Sequence, residues 1–170
     1  MTYADDARTT FLDMLATLDR LVDRAESHGM DDAILQTKLA EDMFPLESQF
    51  RVALNQIILA LGRTCGDETP LDEEAYTSLQ QVRDRIKAMR TLVETSPADG
   101  WTSHDTDIDF TLPNGMRFVL TAAEYIRDWM LPNFYFHTTM AYALLRHNGL
   151  GIGKGDFVGH MVRHARAPEA

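Results

Sequence analysis

Four long segments of this chain repeat their apolar residues at three- and four-residue steps, and this spacing constrains the fold more than any other feature. It places apolar side chains along one side of an α-helix, and that side is buried against other helices. Short connections join the segments. We therefore predict an all-α protein, an up-and-down four-helix bundle. Its helices are expected over about Asp5–His28, from Pro45 to Gly62 or Gly66, over Asp72–Thr95 and over Pro132–Gly149.

The first and third helices carry clear signals at their surfaces and ends. Charged residues occupy the side of the first helix opposite its apolar stripe, which predicts a face exposed to water. In the third helix, Asp72 is expected to be the N-cap, followed by acidic residues that favour a helix N-terminus. The charged residues of the first helix are Asp13, Asp19, Arg20, Asp23 and Arg24.

One stretch, at about 107–120, changes to a period of two, which is typical of β-strands. A three-residue loop at 113–115 would pair Phe110 with Phe118 and keep one face apolar, whereas a two-residue Asn-Gly turn would mix the faces. We therefore predict an added β-hairpin with a three-residue loop, packed on the helices by its apolar face. The apolar residues of this face are Ile108, Phe110, Leu112, Met116, Phe118 and Leu120.

The hairpin leads into the last helix through a short helical stretch. Thr121 and Glu124 have the spacing of a capping box, which predicts a helix start at this point. Pro132 suits the first turn of a helix, because its missing N–H would have no partner there. Leu131 and Pro132 either kink the stretch or separate it from the last helix, and the sequence leaves both alternatives open.

Composition excludes several classes of partner. The net charge of -10 argues against nucleic acid or an anionic membrane as the main partner. No apolar run approaches the roughly 18 residues of a membrane span, and the acidic start carries no secretory signal. Cys65 is the single cysteine, which fits a reducing cytoplasm, and its surroundings predict an inert thiol in a loop. We expect a cytoplasmic protein.

A length of 170 residues favours one domain. We expect residues 1–159 to form this domain and residues 160–170 to form a mobile basic tail, because basic residues cluster at the chain end. The basic residues of this tail are His160, Arg163, His164 and Arg166.

Three polar residues lie on helix faces that are otherwise apolar, and they are the candidate site. Gln49 lies in the first turn of the second helix, and Asn133 and His137 lie four residues apart on the last helix, on one face. Two histidines at this spacing can bind one metal ion, but an amide oxygen is a weak ligand for zinc or nickel. The alternatives are a metal site at His137 or a buried hydrogen-bonded network of the three side chains.

Aromatic residues surround this candidate site on the last helix. Tyr135 and Tyr142 are the two that carry hydroxyl groups and could line a binding pocket. The alternative interpretation is that they pack against neighbouring helices, as aromatic residues of a bundle usually do.

Two motifs resemble a family. DMFPLESQ at 42–49 and LPNFYFH at 131–137, the latter followed by AYALLRHNG at 141–149, resemble a bacterial family of uncharacterised proteins in the DinB/YfiT-like clan. The resemblance extends from about Phe11 to Gly159, which is nearly the whole chain.

The resemblance to this clan implies a DinB-like four-helix bundle, often dimeric, and in many members three histidines bind a divalent metal such as zinc or nickel. By this resemblance His137 corresponds to the second histidine of the last helix, Asn133 to the first, and Gln49 to the ligand of the second helix. The chain thus departs from the metal pattern at two of three positions, and His137 is the one clan-type ligand it retains.

We consider three hypotheses for the function. The first is a DinB-like bundle with a degenerate metal-type pocket that binds a small molecule or an interaction partner. The second, also implied by the clan, is a divergent metal- and thiol-dependent S-transferase with His137 as ligand or general base. The third is a structural homodimer whose interface uses exposed apolar residues of the first helix or the hairpin.

Overall fold

The predicted helical bundle with one hairpin is confirmed by the computed structural model, which describes residues 2–96 and 98–166. Four long helices pack around one hydrophobic core, and the two-stranded antiparallel hairpin lies against them. The main elements are α1 (Tyr3–Ser27), α2 (Leu46–Cys65), α3 (Leu79–Thr95), β1 (Asp107–Thr111), β2 (Arg117–Thr121), α4 (Ala122–Glu124), α5 (Leu131–His147) and α6 (Lys154–Phe157). Short 3₁₀ helices lie at Asp32–Gln36, Ala98–Gly100 and Gly159–His164, and a π-helix lies at Tyr125–Met130.

Helix α1 is buried along its apolar side, as its sequence predicts. Phe11, Leu15 and Leu18 are fully buried. A capping box between Thr2 and Asp5 satisfies backbone N–H groups at its start. These apolar residues of α1 therefore belong to the core, and the use of α1 in an interface stays a prediction.

The charged side of α1 is not simply a face exposed to water, and that prediction is wrong in part. Arg83 of α3 forms ion pairs with Asp19, Asp23 and Glu26 of α1. These pairs join two helices across their polar sides. The spacing of charges on α1 could not reveal their partners, because those partners come from distant parts of the chain.

The C-terminal segment after α5 crosses the same side of α1. Thr17 donates a hydrogen bond to the Phe157 carbonyl at 3.0 Å, Arg20 to the Asp156 carbonyl at 2.9 Å, and Arg24 to the Gly151 carbonyl at 2.8 Å. Polar side chains of α1 thus donate hydrogen bonds to backbone carbonyls of the segment that follows α5.

The predicted tail begins inside an ordered element. A 3₁₀ helix covers Gly159–His164, and Arg163 forms an ion pair with Asp13 of α1. Residues 167–170 lie outside the described residues. The mobility of the tail stays a prediction.

The start of the third helix was predicted wrongly. Helix α3 begins at Leu79 with Ser78 as its N-cap, and Asp72 lies in the preceding loop. Asp72 instead accepts hydrogen bonds from the Tyr76 hydroxyl at 2.5 Å and from Arg85 Nε at 2.8 Å. An aspartate before a helical stretch can cap the helix or fix the preceding loop, and the sequence looks the same in both cases. The contacts of Asp72 with Tyr76 and Arg85 show the second role.

The hairpin has the predicted register. Ile108 pairs with Leu120 and Phe110 pairs with Phe118, and the three-residue loop ends at Gly115, whose φ is +87°. A positive φ there is favourable for glycine. Phe110 is the anchor of this face, because its ring contacts Phe118, Tyr125 and Trp129.

Pro132 does not separate two helices. The chain is helical without a break from Ala122 to His147, and the six residues Tyr125–Met130 form a π-helix just before α5. The capping box of Thr121 and Glu124 is present as predicted. The π-helix, whose turns are wider than those of an α-helix, lies just before Pro132, which has no backbone N–H to donate.

Cys65 is the last residue of α2, so its placement in a loop was wrong. Its thiol is half-buried, and its sulfur lies 3.7 Å from the Ser96 hydroxyl. Within residues 2–96 and 98–166, no helix is long and apolar enough to cross a membrane.

The Asp72 contacts generate a prediction about stability. Asp72→Ala removes the acceptor of two hydrogen bonds, one of them from a charged donor, and leaves Arg85 without its carboxylate. We expect the free energy of unfolding in urea to fall by about 1.5–3 kcal/mol. Glu74→Ala, in the same loop with an exposed side chain, is the control and should change it by less than about 0.5 kcal/mol. Equal losses in the two variants would contradict the anchoring role.

Candidate functional site

The candidate site joins the first turn of α2 to the middle of α5. Gln49 and His137 point into the contact between these two helices, where they are 1% and 8% exposed. Gln49 Oε1 lies 2.8 Å from His137 Nδ1. Buried polar groups are normally hydrogen-bonded, and each of these side chains satisfies the other.

The Phe44 carbonyl decides the orientation of Gln49. Gln49 Nε2 donates to this carbonyl, which precedes α2, at 3.2 Å. A carbonyl oxygen can only accept, so the amide nitrogen of Gln49 must face Phe44 and its oxygen must face His137.

This orientation in turn decides the tautomer of His137. Since Gln49 Oε1 is an acceptor, Nδ1 of His137 must carry the proton. The neutral ring then has an unprotonated Nε2 with a free lone pair. Within the described residues, Nε2 forms no hydrogen bond. Unlike the fully buried polar atoms that have no partner, Nε2 keeps some surface exposed to solvent.

Burial also lowers the pKa of His137 below its ordinary value of 6.5, because the charged imidazolium loses its hydration. The ring is therefore neutral near pH 7. A neutral histidine with a free Nε2 can accept a hydrogen bond, accept a proton or donate its lone pair to a metal ion.

Asn133 takes no part in this network. Its side-chain amide donates to the Trp129 carbonyl of its own helical stretch at 2.6 Å. The spacing of four residues does place Asn133 next to His137 along the helix. Asn133 instead uses a backbone acceptor in the π-helix before α5, so the network contains two side chains, Gln49 and His137.

Neither tyrosine forms a hydrogen bond with Gln49 or His137 among the described residues. Tyr135 is exposed, and its ring packs against Phe134. Tyr142 is half-buried, with its ring against Phe157 and its hydroxyl accepting from Arg146 at 3.3 Å. Their role as pocket residues stays a prediction, and their contacts favour packing.

Two exposed phenylalanines contact the pair, Phe136 through its ring and Phe44 through its backbone carbonyl. The ring of Phe136 meets the ring of His137 edge-on, with centroids 5.2 Å apart, and Phe136 is 55% exposed. Phe44, whose carbonyl binds Gln49, is 58% exposed. Sequence reasoning missed Phe44, because a backbone carbonyl leaves no signature in a sequence. Its position directly before the helix-opening Pro45 was the only signal.

A second polar cluster fixes the first turn of α2 on its other side. The buried Glu47 accepts hydrogen bonds from Ser48, from Arg51 and from the backbone of Tyr76. Burial opposes ionisation of Glu47, but these bonds outweigh it, and the pKa of Glu47 is lowered. An ionised, fully bonded Glu47 holds the turn that carries Gln49.

These residues do not fit the three-ligand metal site that the clan resemblance implies. Gln49 Oε1 is engaged with His137, and the Asn133 amide is engaged with Trp129. In residues 2–96 and 98–166, no group of three or more His, Cys, Asp or Glu is arranged to hold a metal ion. Only His137 Nε2 remains as a ligand of that type.

Cavities open on other parts of the surface. One of about 450 Å³ is lined by Thr2, Tyr3, Trp101 and His104 among others, and one of about 500 Å³ is lined by Asp72, Tyr76 and Arg85 among others. Neither includes Gln49 or His137.

Comparison with known proteins identifies the family. The model of a family described as "Domain of unknown function (DUF1993)" matches residues 4–158. The chain belongs to the DUF1993 family. The crystal structure of a DinB family member from Shewanella denitrificans is also similar, with 32% identity, a TM-score of 0.81, and coverage of 95% of this chain and 93% of that chain.

These matches confirm the resemblance to the DinB-like superfamily. No curated protein matches the chain. This DUF1993 protein therefore shares a fold with the DinB family, and its function has to be argued from its own residues.

The buried histidine makes stability depend on pH. Folding lowers the pKa of His137, so the unfolded chain binds this proton more tightly than the folded one. The stabilisation is complete above about pH 6.5 and is lost as the pH falls through that value toward the folded pKa.

We expect the imidazole NMR signal of His137 to titrate with a midpoint below 6.5, and below that of the same residue in the urea-unfolded chain. Between pH 7.5 and pH 5, the free energy of unfolding should fall more for the native protein than for His137→Gln. A midpoint at or above 6.5 would contradict the lowered pKa.

Proposed function

We propose that this DUF1993 protein binds a small organic molecule whose hydrogen-bond donor meets Nε2 of His137. The observation that carries the proposal is the 2.8 Å hydrogen bond between Gln49 Oε1 and His137 Nδ1, with Gln49 oriented by the Phe44 carbonyl. It leaves a neutral imidazole whose second nitrogen is an acceptor that reaches solvent.

The surroundings define the class of ligand. Phe136 offers exposed aromatic surface beside His137, and Phe44, whose carbonyl binds Gln49, is also exposed. The acceptor at Nε2 favours an O–H, N–H or S–H group, and the net charge of -10 disfavours anions. A neutral molecule with an apolar body and one donor group fits best.

A second function is favoured by the lowered pKa of His137. A neutral imidazole can act as a general base near pH 7. In a thiol transfer, Nε2 would take the S–H proton while the sulfur bonds to an electrophile and displaces its leaving group. This would be a version of the clan's S-transferase chemistry in which His137 acts as the base.

The test is a screen of small molecules by ligand-observed NMR, with native protein, His137→Ala and His28→Ala. His28 is an exposed histidine beyond the end of α1 and serves as the matched control. We expect donor-bearing aromatic compounds to bind the native protein and His28→Ala, and to lose at least tenfold in affinity with His137→Ala. Binding that survives unchanged in His137→Ala would exclude the site.

The same proteins separate the other hypotheses. Turnover of a thiol and an electrophile that disappears only in His137→Ala would favour the transferase. About one zinc or nickel ion per chain, lost only in His137→Ala, would show that one imidazole suffices for a metal and would contradict binding of the organic molecule to a free Nε2.

A further inference from the structure

Two cavities share Tyr3 at the start of α1. The first, of about 450 Å³, is lined by Tyr3 and Trp101 among others. The second, of about 260 Å³, is lined by Tyr3 and Ile126 among others. Their walls also meet where the backbone N–H of Ala123 donates to the His104 carbonyl at 3.0 Å. We call these two cavities together the Tyr3 groove, and its size suits a small organic molecule.

One hydrogen-bond donor of the Tyr3 groove has no acceptor. Trp101 is 8% exposed, and its Nε1 is buried without a hydrogen-bond partner among the described residues. Its ring packs edge-on against Tyr3, with centroids 5.7 Å apart. Buried polar groups are normally hydrogen-bonded, and a buried donor without a partner costs about 1–3 kcal/mol. The indole N–H of Trp101 is therefore a group that a ligand can satisfy.

The hydroxyl groups of the first cavity already donate to the protein itself. The Tyr3 hydroxyl donates to the Thr102 carbonyl at 2.8 Å, and the Thr102 hydroxyl donates to that of Thr106 at 2.8 Å. The Ser103 hydroxyl donates to the Asp105 carboxylate at 2.5 Å. The described residues that line this cavity include no Asp, Glu, Lys or Arg. The cavity therefore favours a neutral ligand that brings an acceptor for the indole N–H.

The second cavity suits the apolar part of such a ligand. It contains two charged residues, Asp6 and Arg127, which are exposed, and Arg127 is already bound to Asp128. One wall comes from the π-helix, a local geometry that is frequent at functional sites. The apolar residues that line this cavity are Ala7, Ala123, Ile126 and Leu131.

We propose that the Tyr3 groove binds a neutral molecule with an apolar body and a carbonyl group. The carbonyl oxygen accepts from Nε1 of Trp101 in the first cavity, and the apolar body occupies the second. Because Nε1 is closed to water, the carbonyl reaches it after a small shift of the cavity wall. Ser103 and His104 in this wall are exposed, and exposed side chains change rotamer readily. The site includes neither Gln49 nor His137, so it does not depend on the ligand proposed for them.

The two tryptophans of the chain make the test specific to this groove. Trp101 and Trp129 give two indole N–H signals in a ¹H–¹⁵N NMR spectrum, and Trp101→Phe identifies which is which. The probes are acetophenone, methyl benzoate and N,N-dimethylbenzamide, which each carry a phenyl ring and a carbonyl but no N–H or O–H group. At millimolar concentration we expect them to move the Trp101 signal downfield until it saturates, and to leave the Trp129 signal in place. The proposal is overturned if none of the three probes moves the Trp101 signal, or if both signals move equally.

Variants then test the two parts of the groove through the affinity for acetophenone, measured by ligand-observed NMR. Trp101→Phe keeps an aromatic ring without the N–H and should weaken binding about threefold to tenfold. Ala123→Leu places a larger side chain in the second cavity and should abolish binding, whereas Ala88→Leu, at a half-buried alanine of α3, should not change it. His137→Ala should also leave the affinity unchanged. Equal affinity in native protein and Trp101→Phe would contradict the role of the indole, and a loss of binding in His137→Ala alone would overturn the proposal.

Discussion

The candidate site depends on one side-chain amide held between two partners. Gln49 donates to the carbonyl of Phe44 and accepts from the ring of His137, so it links the loop before α2 to α5. A backbone carbonyl can only accept, and from this single constraint the amide orientation, the tautomer of His137 and the availability of Nε2 all follow. Burial adds the lowered pKa that keeps the ring neutral.

This arrangement gives a physical meaning to the departures from the clan's metal pattern. An imidazole at position 49 would offer a lone pair, whereas Gln49 offers a carbonyl oxygen that captures the Nδ1–H of His137. Asn133 turns back to the Trp129 carbonyl next to the π-helix. Both side-chain amides thus form hydrogen bonds within the protein. The chain keeps the DinB-like fold.

Periodicity was sufficient for most of the fold, because apolar spacing and strand register depend on local geometry. The register of Phe110 and Phe118 followed from keeping one face apolar. The start of α3 and the partners of the charged side of α1 could not be predicted this way. Asp72 binds Arg85, 13 residues further on, and Arg83 binds Glu26, 57 residues before it. At the site, a hydrogen bond between Gln49 and His137 was one of the alternatives that the sequence left open. The hydrogen bond of Asn133 to the Trp129 carbonyl and that of Gln49 to the Phe44 carbonyl could not be predicted, because every residue has a backbone carbonyl.

The proposed site requires a neutral His137 whose proton lies on Nδ1. The most direct measurement is long-range ¹H–¹⁵N NMR of the labelled protein at pH 7.5, which distinguishes protonated from unprotonated ring nitrogens. We expect a protonated Nδ1 and an unprotonated Nε2 in native protein, and loss of this preference in Gln49→Leu. A proton on Nε2 in the native protein would contradict the account, because Gln49 would then have no donor to accept from and His137 would offer no acceptor to a ligand.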